Sequence, residues 1–132
     1  MTRLRENERG EATTEMVLVV PVLLVLITLV IQFGLWYHAS NVADAAAEEG
    51  VRAARLRGGT AEAGQATTEN FLSQAGPTIV VSPQVSVSRN TDTARVEVHG
   101  SVVSVVPGIR LPIDAVAESP LEEFRPPART AP

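Results

Sequence analysis

The sequence contains no cysteine, and all 11 of its basic residues are arginine. Without cysteine there is no disulfide, no thiolate nucleophile and no cysteine-ligated zinc or iron–sulfur site. Nothing would staple the fold if the chain is exported. Without lysine, mechanisms that need a catalytic lysine fall away, including the P-loop and Ser-x-x-Lys types. The only two histidines, His38 and His99, are far apart and stand in no ligand spacing, so they read as ordinary polar residues. Neither Gly-x-Ser-x-Gly nor His-Glu-x-x-His occurs, and Glu48-Glu49 and Glu122-Glu123 read as solvated pairs. No enzyme, no cofactor and no metal is expected. Positive charge is also in deficit: 15 acidic residues against 11 basic give a net charge of −4. That balance lacks the basic patch of a nucleic-acid binder, so no nucleic acid is expected as a partner.

What the chain does have is one oily segment. Of the 22 residues from Met16 to Tyr37, 18 are apolar, and no charge falls between Glu15 and Asp44. As a helix this segment would be about 33 Å long, against a bilayer hydrocarbon core of about 30 Å. Pro21 lacks an N–H, but in a membrane helix it is tolerated near an end, where it kinks the helix without terminating it. Phe33, Trp36 and Tyr37, three of the chain's five aromatics, gather at the C-terminal end. Amphipathic rings collect at the membrane–water boundary, so Trp36 and Tyr37 mark that boundary. The competing readings are a buried core helix and a cleaved signal peptide. A small protein cannot surround so long an apolar rod, and a signal peptide's apolar region is shorter, about 7–15 residues. Charge leaves the orientation tied: Arg3, Arg5 and Arg9 precede the span, and Arg52, Arg55 and Arg57 follow it. Arg9, the nearest, tilts the balance towards a cytoplasmic N-terminus.

The rest of the chain falls into segments. Residues 1–10 are polar with no apolar period and read as a disordered leader. From His38 to Arg57 alanine dominates and the helix continues, so one rod runs over 11–57 with its N-terminal half in the membrane. Ala39, Ala43, Ala46 and Gly50 form, with Val42, a stripe of small residues; either another helix packs closely on it, or this is simply a solvated alanine-rich helix. Glu48 and Arg52 form an i,i+4 pair on the other side. Gly58-Gly59 ends the rod. Thr60 caps a second helix over 61–75, which Gly76-Pro77 closes. Then the period changes to two. Val85 and Val87, and Val96 and Val98, alternate with polar residues around the turn Arg89–Thr93, which indicates a hairpin. The alternation loses phase over 102–106, suggesting a bulge. Leu111, Ile113 and Ala115 offer a third strand. Three strands with one apolar face are near the minimum for stability, so the sheet is expected to pack on the second helix or the upper rod. Residues 119–132 read as a flexible proline-rich tail. The fold class is α+β: a long N-terminal helix, a short helix and a small antiparallel sheet, with residues 60–118 as the head.

The junction before the span carries one further arrangement. A cut after Gly10 would make Glu11 the first residue and Glu15 the fifth, one helical turn on. A carboxylate at the bilayer edge is costly unless paired, and a neighbouring subunit's amine could pair with it. Alternatively, Glu15 merely stabilises a helix N-terminus through the macrodipole.

The stretch Arg9-Gly10-Glu11-Ala12-Thr13-Thr14-Glu15-Met16 and the apolar run through Pro21 to Leu24 resemble the N-terminus of TadE-like proteins. These are pilin-like proteins of tight-adherence (Flp-type) pilus assembly, related to type IV prepilins. Gln32-Phe33-Gly34 and Ala45-Ala46-Ala47-Glu48-Glu49-Gly50-Val51-Arg52 are similar to the family's late glycine and its alanine-rich stretch ending in Gly-x-Arg. Met16 and the acidic Glu6 and Glu8 depart from the pattern. The resemblance implies cleavage by a prepilin peptidase between Gly10 and Glu11, and a subunit-pairing role for Glu15. It also implies a single pass through the cytoplasmic membrane, with the leader inside and the head outside. The partners implied are the peptidase, other pilin-like subunits, pilus assembly membrane proteins and the lipid bilayer. The expected function is that of a minor pilin-like (pseudopilin) membrane protein acting by helix packing, at the membrane or with the pilus. The alternative from the residues alone is a solitary membrane-anchored extracytoplasmic binding module. A soluble domain released by signal peptidase after about residue 40 is a third reading.

Overall fold

A computed structural model describes residues 3–122, with side chains from Gly10 onward. Its first element is the helix α1, Arg3–Arg55, 53 residues long. At 1.5 Å per residue it spans about 80 Å. The helix starts at Arg3, inside the segment read as a leader without structure, and it runs through Pro21 unbroken. Arginine, leucine and glutamate are good helix formers, and nothing between Arg3 and Gly10 stops the helix. Leader residues Met1 and Thr2 lie outside the described residues.

α1 has two halves with opposite surroundings. From Met16 to Ile31 its large apolar side chains are exposed; from Ala39 to Ala54 one face is fully covered. Its most apolar 18-residue window has a mean hydropathy of 2.9, yet only 6% of that window is buried within the molecule. That removes the core-helix reading, because among the described residues nothing shelters this surface from water. The segment is a candidate membrane span by length and composition.

The helix α2, Ala61–Ala75, follows a turn in which Gly58 adopts φ +79°, a left-handed conformation that favours glycine. The Thr60 hydroxyl accepts a hydrogen bond from the Ala63 N–H at 3.0 Å, and the Gly76 N–H donates to the Leu72 carbonyl at 3.0 Å. Both ends of α2 are therefore capped as its sequence indicates.

Three strands complete the fold: β1, Val80–Arg89; β2, Thr93–Val102; and β3, Pro112–Pro120. They form an antiparallel sheet in the order β1-β2-β3. Val85 lies opposite Val98 and Val87 opposite Val96, while Val98 and Val96 face Ala115 and Ala117 on the other side. This register puts the alternating valines on one face. Val96, Val98, Ile113 and Ala115 are buried there against Ala39, Val42, Ala43, Ala46, Ala47 and Val51 of α1 and Leu72 of α2. The core thus belongs jointly to the sheet, α2 and the C-terminal half of α1.

Two local expectations are corrected. The irregularity in strand pairing falls between Val81 and Gln84 on β1, not in 102–106. Pro83 cannot donate to a ladder and Ser82 takes φ +49°, so the pairing breaks there. β2 simply ends at Val102, and residues 103–111 form a loop. The tail also begins later than residue 119. Ser119 and Pro120 pair with Ala94 and Thr93, the Leu121 N–H donates to the Asp92 carbonyl at 2.9 Å, and Arg55 meets Glu122 at 3.9 Å. Residues 123–132 of that expected tail lie outside the described residues.

Candidate functional site: the anchor helix and its junction with the head

At the N-terminal threshold, Gly10, Glu11 and Glu15 are all exposed on α1. The Thr14 hydroxyl donates to the Gly10 carbonyl at 2.9 Å, an ordinary side-chain bond back along the helix. Glu15 carries no ion pair among the described residues. It also stands well inside α1, more than three turns beyond Arg3. Helix-dipole stabilisation falls off within the first turn, so in the uncut chain it does not account for Glu15. Glu11 and Glu15 are one turn apart and share a face, with Leu18 next along it.

At the other end of the apolar run, Phe33 and Tyr37 are exposed, and the rings of Phe33 and Trp36 lie tilted by 36° with centroids 5.9 Å apart. Trp36, expected from the sequence to mark a boundary, also has a structural contact. It is half-buried, and its indole N–H donates to the Pro112 carbonyl at 3.1 Å, tying the anchor to the start of β3.

Sequence reasoning gave Gln32 no role of its own. It is 2% exposed, on a helix whose neighbouring residues Ile31 and Phe33 are open. Its amide nitrogen donates to the Val103 carbonyl at 3.2 Å, and its amide oxygen accepts from the Val105 N–H at 2.7 Å and the Val106 N–H at 3.4 Å. One side chain thus satisfies three backbone groups of the loop between β2 and β3. The signal that could have found it was there. It is the single amide in an otherwise apolar stretch, and such a group must face a polar partner.

The small-residue stripe also has an occupant within the chain. Ala39, Ala43 and Ala46 are fully covered by the sheet and α2. Gly50 is where α2 crosses: a Cβ placed on Gly50 would overlap the Thr68 hydroxyl and lie 3.0 Å from the Gly64 carbonyl. A Cβ on Gly64 would lie 2.9 Å from that of Ala54, so each glycine makes room for the other helix. Thr68, fully buried, turns its hydroxyl to the Gly64 carbonyl at 2.8 Å. Off the stripe, Arg52 pairs with Glu49 at 2.9 Å, and not with Glu48 as the spacing suggested.

The outward face of the sheet is charged. Arg95 meets Glu97 at 2.7 Å and Glu118 at 3.2 Å, and His99 meets Asp114 at 2.7 Å and Glu97 at 3.6 Å. The Arg95 guanidinium, by hydrogen bond and charge, holds the Glu97 carboxyl below its usual range. The hydrogen bond to Asp114 holds His99 above the ordinary imidazole value. This ladder is open to water, and among the described residues no cluster of histidine and acidic side chains has metal-binding geometry.

The part of α1 from the threshold through the span to the Gly50 crossing is also the part that a family pattern covers. Residues 10–52 match the family model of TadE-like proteins. No curated protein and no solved structure matches the chain. The TadE-like match covers the exposed apolar helix, Gln32, Trp36 and the covered stripe, and it stops at residue 52, inside the last turn of α1. α2 and the sheet lie beyond it.

Proposed function

We propose that this chain is a non-enzymatic, single-pass pilin-like membrane protein of a tight-adherence type pilus assembly system. The TadE-like match over residues 10–52 carries the reading, because it falls on an apolar helix that the described residues leave uncovered. The leader lies on the cytoplasmic side and the head outside. A prepilin peptidase cuts between Gly10 and Glu11, which leaves the new amino group and the Glu15 carboxylate one turn apart near the bilayer edge. Lipid gives apolar helices no net drive to associate, so side-by-side packing there depends on close fit and polar pairing. An unpaired carboxylate at that depth is costly. Pairing Glu15 with the amino group of a neighbouring subunit removes that cost and sets the stagger between the two helices. Other pilin-like subunits and assembly proteins of the membrane are the partners.

Two observations weigh on the rival readings. A solitary binding module would work on any anchor, but here Gln32, Trp36 and Ala39 hold the head together from within the anchor helix. Release by signal peptidase near residue 40 would strip those same residues from the core.

The mature N-terminus, measured by mass spectrometry in cells with and without the peptidase, is expected to be Glu11 in the first case and upstream of it in the second. An intact Met1 in both removes the processing step. Glu15→Ala is expected to insert normally into the membrane and to lower assembly several-fold. Unchanged assembly refutes the pairing role.

A further inference from the structure

We propose that the loop between β2 and β3, residues 103–111, is a second membrane contact that dips into the outer edge of the bilayer beside α1. The inference rests on the reading of α1 as a membrane span and adds a lipid-facing surface to the head. Its first support is depth. Gln32 lies 16 residues beyond Met16, which is about 24 Å along the helix, less than the roughly 30 Å of a hydrocarbon core. The Val105 N–H is 2.7 Å from the Gln32 amide oxygen, so the loop comes down to the level of Gln32. Trp36, one turn higher, holds Pro112 at 3.1 Å, so the chain climbs back from there into β3.

The second support is chemistry. From Val102 to Ile109 the chain carries no charge, and Val105 (46% exposed) and Pro107 point away from the molecule. Lipid supplies no hydrogen bonds, so backbone groups at that depth must be satisfied internally. The loop meets much of that demand. The Val103 N–H donates to the Ile79 carbonyl at 2.9 Å, the Val105 and Val106 N–H groups go to Gln32, and the Ile109 N–H goes to the Val106 carbonyl at 3.3 Å. The Ser104 hydroxyl turns inward to the carbonyls of Val106 and Ile109. Gly108, at φ +82°, allows the reversal that brings Ile109 back under Ser104. The exposed residues Val105 and Pro107 are apolar, and Phe33 and Tyr37, next in sequence to Gln32 and Trp36, are exposed on the helix as well. Arg110 follows directly and is exposed, and an arginine at the edge of a lipid surface can extend its charged head to the polar layer.

The chain has no cysteine, so single labels can be placed freely. Full-length Val105→Cys, Ile109→Cys, Leu23→Cys and Val116→Cys would each carry an environment-sensitive fluorophore in phosphatidylethanolamine–phosphatidylglycerol vesicles. Folding is checked by circular dichroism, and Ile109 serves if the label at Val105 disturbs the head. The loop labels are expected to emit to the blue of the Val116 label. They are expected to be quenched by lipid-borne nitroxides near the headgroup and protected from aqueous iodide, with Leu23 quenched by deeper nitroxides. Loop labels open to iodide while Leu23 is in lipid overturn the inference and leave the span standing. Loop labels shielded from both quenchers overturn it too, because a second copy then covers the loop. Leu23 open to iodide overturns the span reading and the loop with it.

Discussion

The amide of Gln32 sits where water is scarce on every side, and its three hydrogen bonds go to one loop. Gln32→Leu keeps the bulk and removes the bonds, so the Val103 carbonyl and the Val105 N–H lose their partners. Stranding a buried backbone group costs about 1–3 kcal/mol. The expected outcome is a head that melts at lower temperature and exchanges the amides of 103–106 faster, read by hydrogen exchange on the full chain in detergent. A variant with unchanged protection would show that the loop holds its shape alone. His99 makes a second prediction, of pH dependence. Its folded value lies above the ordinary 6.5, chiefly through Asp114. The stabilisation it brings is therefore complete below about 6.5 and is lost as pH rises through the higher folded value. Glu97, held below 4.5 by Arg95, behaves in the opposite sense: its contribution is present above about 4.5 and is lost as pH falls through the lower folded value. The charged ladder is most effective between those limits, and because it is exposed its effect is small. An NMR titration is expected to place His99 above a free histidine, and Asp114→Asn to bring its midpoint down.

Among the elements, the crossing of α1 and α2 sets the tightest requirement. Glycine at 50 and 64 lets the two backbones approach, and the Thr68 hydroxyl occupies the space that a side chain at 50 would need. Overpacking of this kind costs about 1–3 kcal/mol. Gly50→Ala is expected to destabilise the head by that amount in thermal unfolding. Thr68→Ala in the same chain is expected to recover part of the loss, because the overlapping hydroxyl is gone. Additive losses in the double variant would mean that the two sites do not share the space. The spacing of Ala39, Ala43, Ala46 and Gly50 was readable as a packing surface, but its occupant was not. A stripe of small residues fits any close helix or sheet, and only the turn at Gly58-Gly59 brings α2 back onto it.

For the molecule as a whole, the division into anchor and head by sequence position does not match the division of the core. The sheet's buried valines have their counterparts on Ala39–Val51 of α1, and the loop at 103–111 is held by residues still deeper in the apolar run. A fragment starting at Thr60 keeps α2 and all three strands but loses the surface they pack on. Three strands and one short helix bury too little apolar area to stand alone. That fragment is expected to lack the dispersed amide spectrum of a folded domain, whereas one starting near Gln32 is expected to recover it in detergent. A folded fragment from Thr60 would show that α1 merely abuts a self-sufficient head.

Composition and period alone determined the long rod with its oily N-terminal half, the capped helix at 61–75 and the valine alternation of the hairpin. These are local signals: a run of apolar residues, a capping threonine, a period of two. The tertiary structure decided what the small-residue stripe holds, where the sheet's irregularity falls, and that Ser119 and Pro120 still belong to a strand. It also decided that Gln32 and Trp36 reach residues more than 70 positions away. Such contacts leave no periodic trace, because a single polar atom in an apolar run names its need for a partner but not which distant backbone group will meet it.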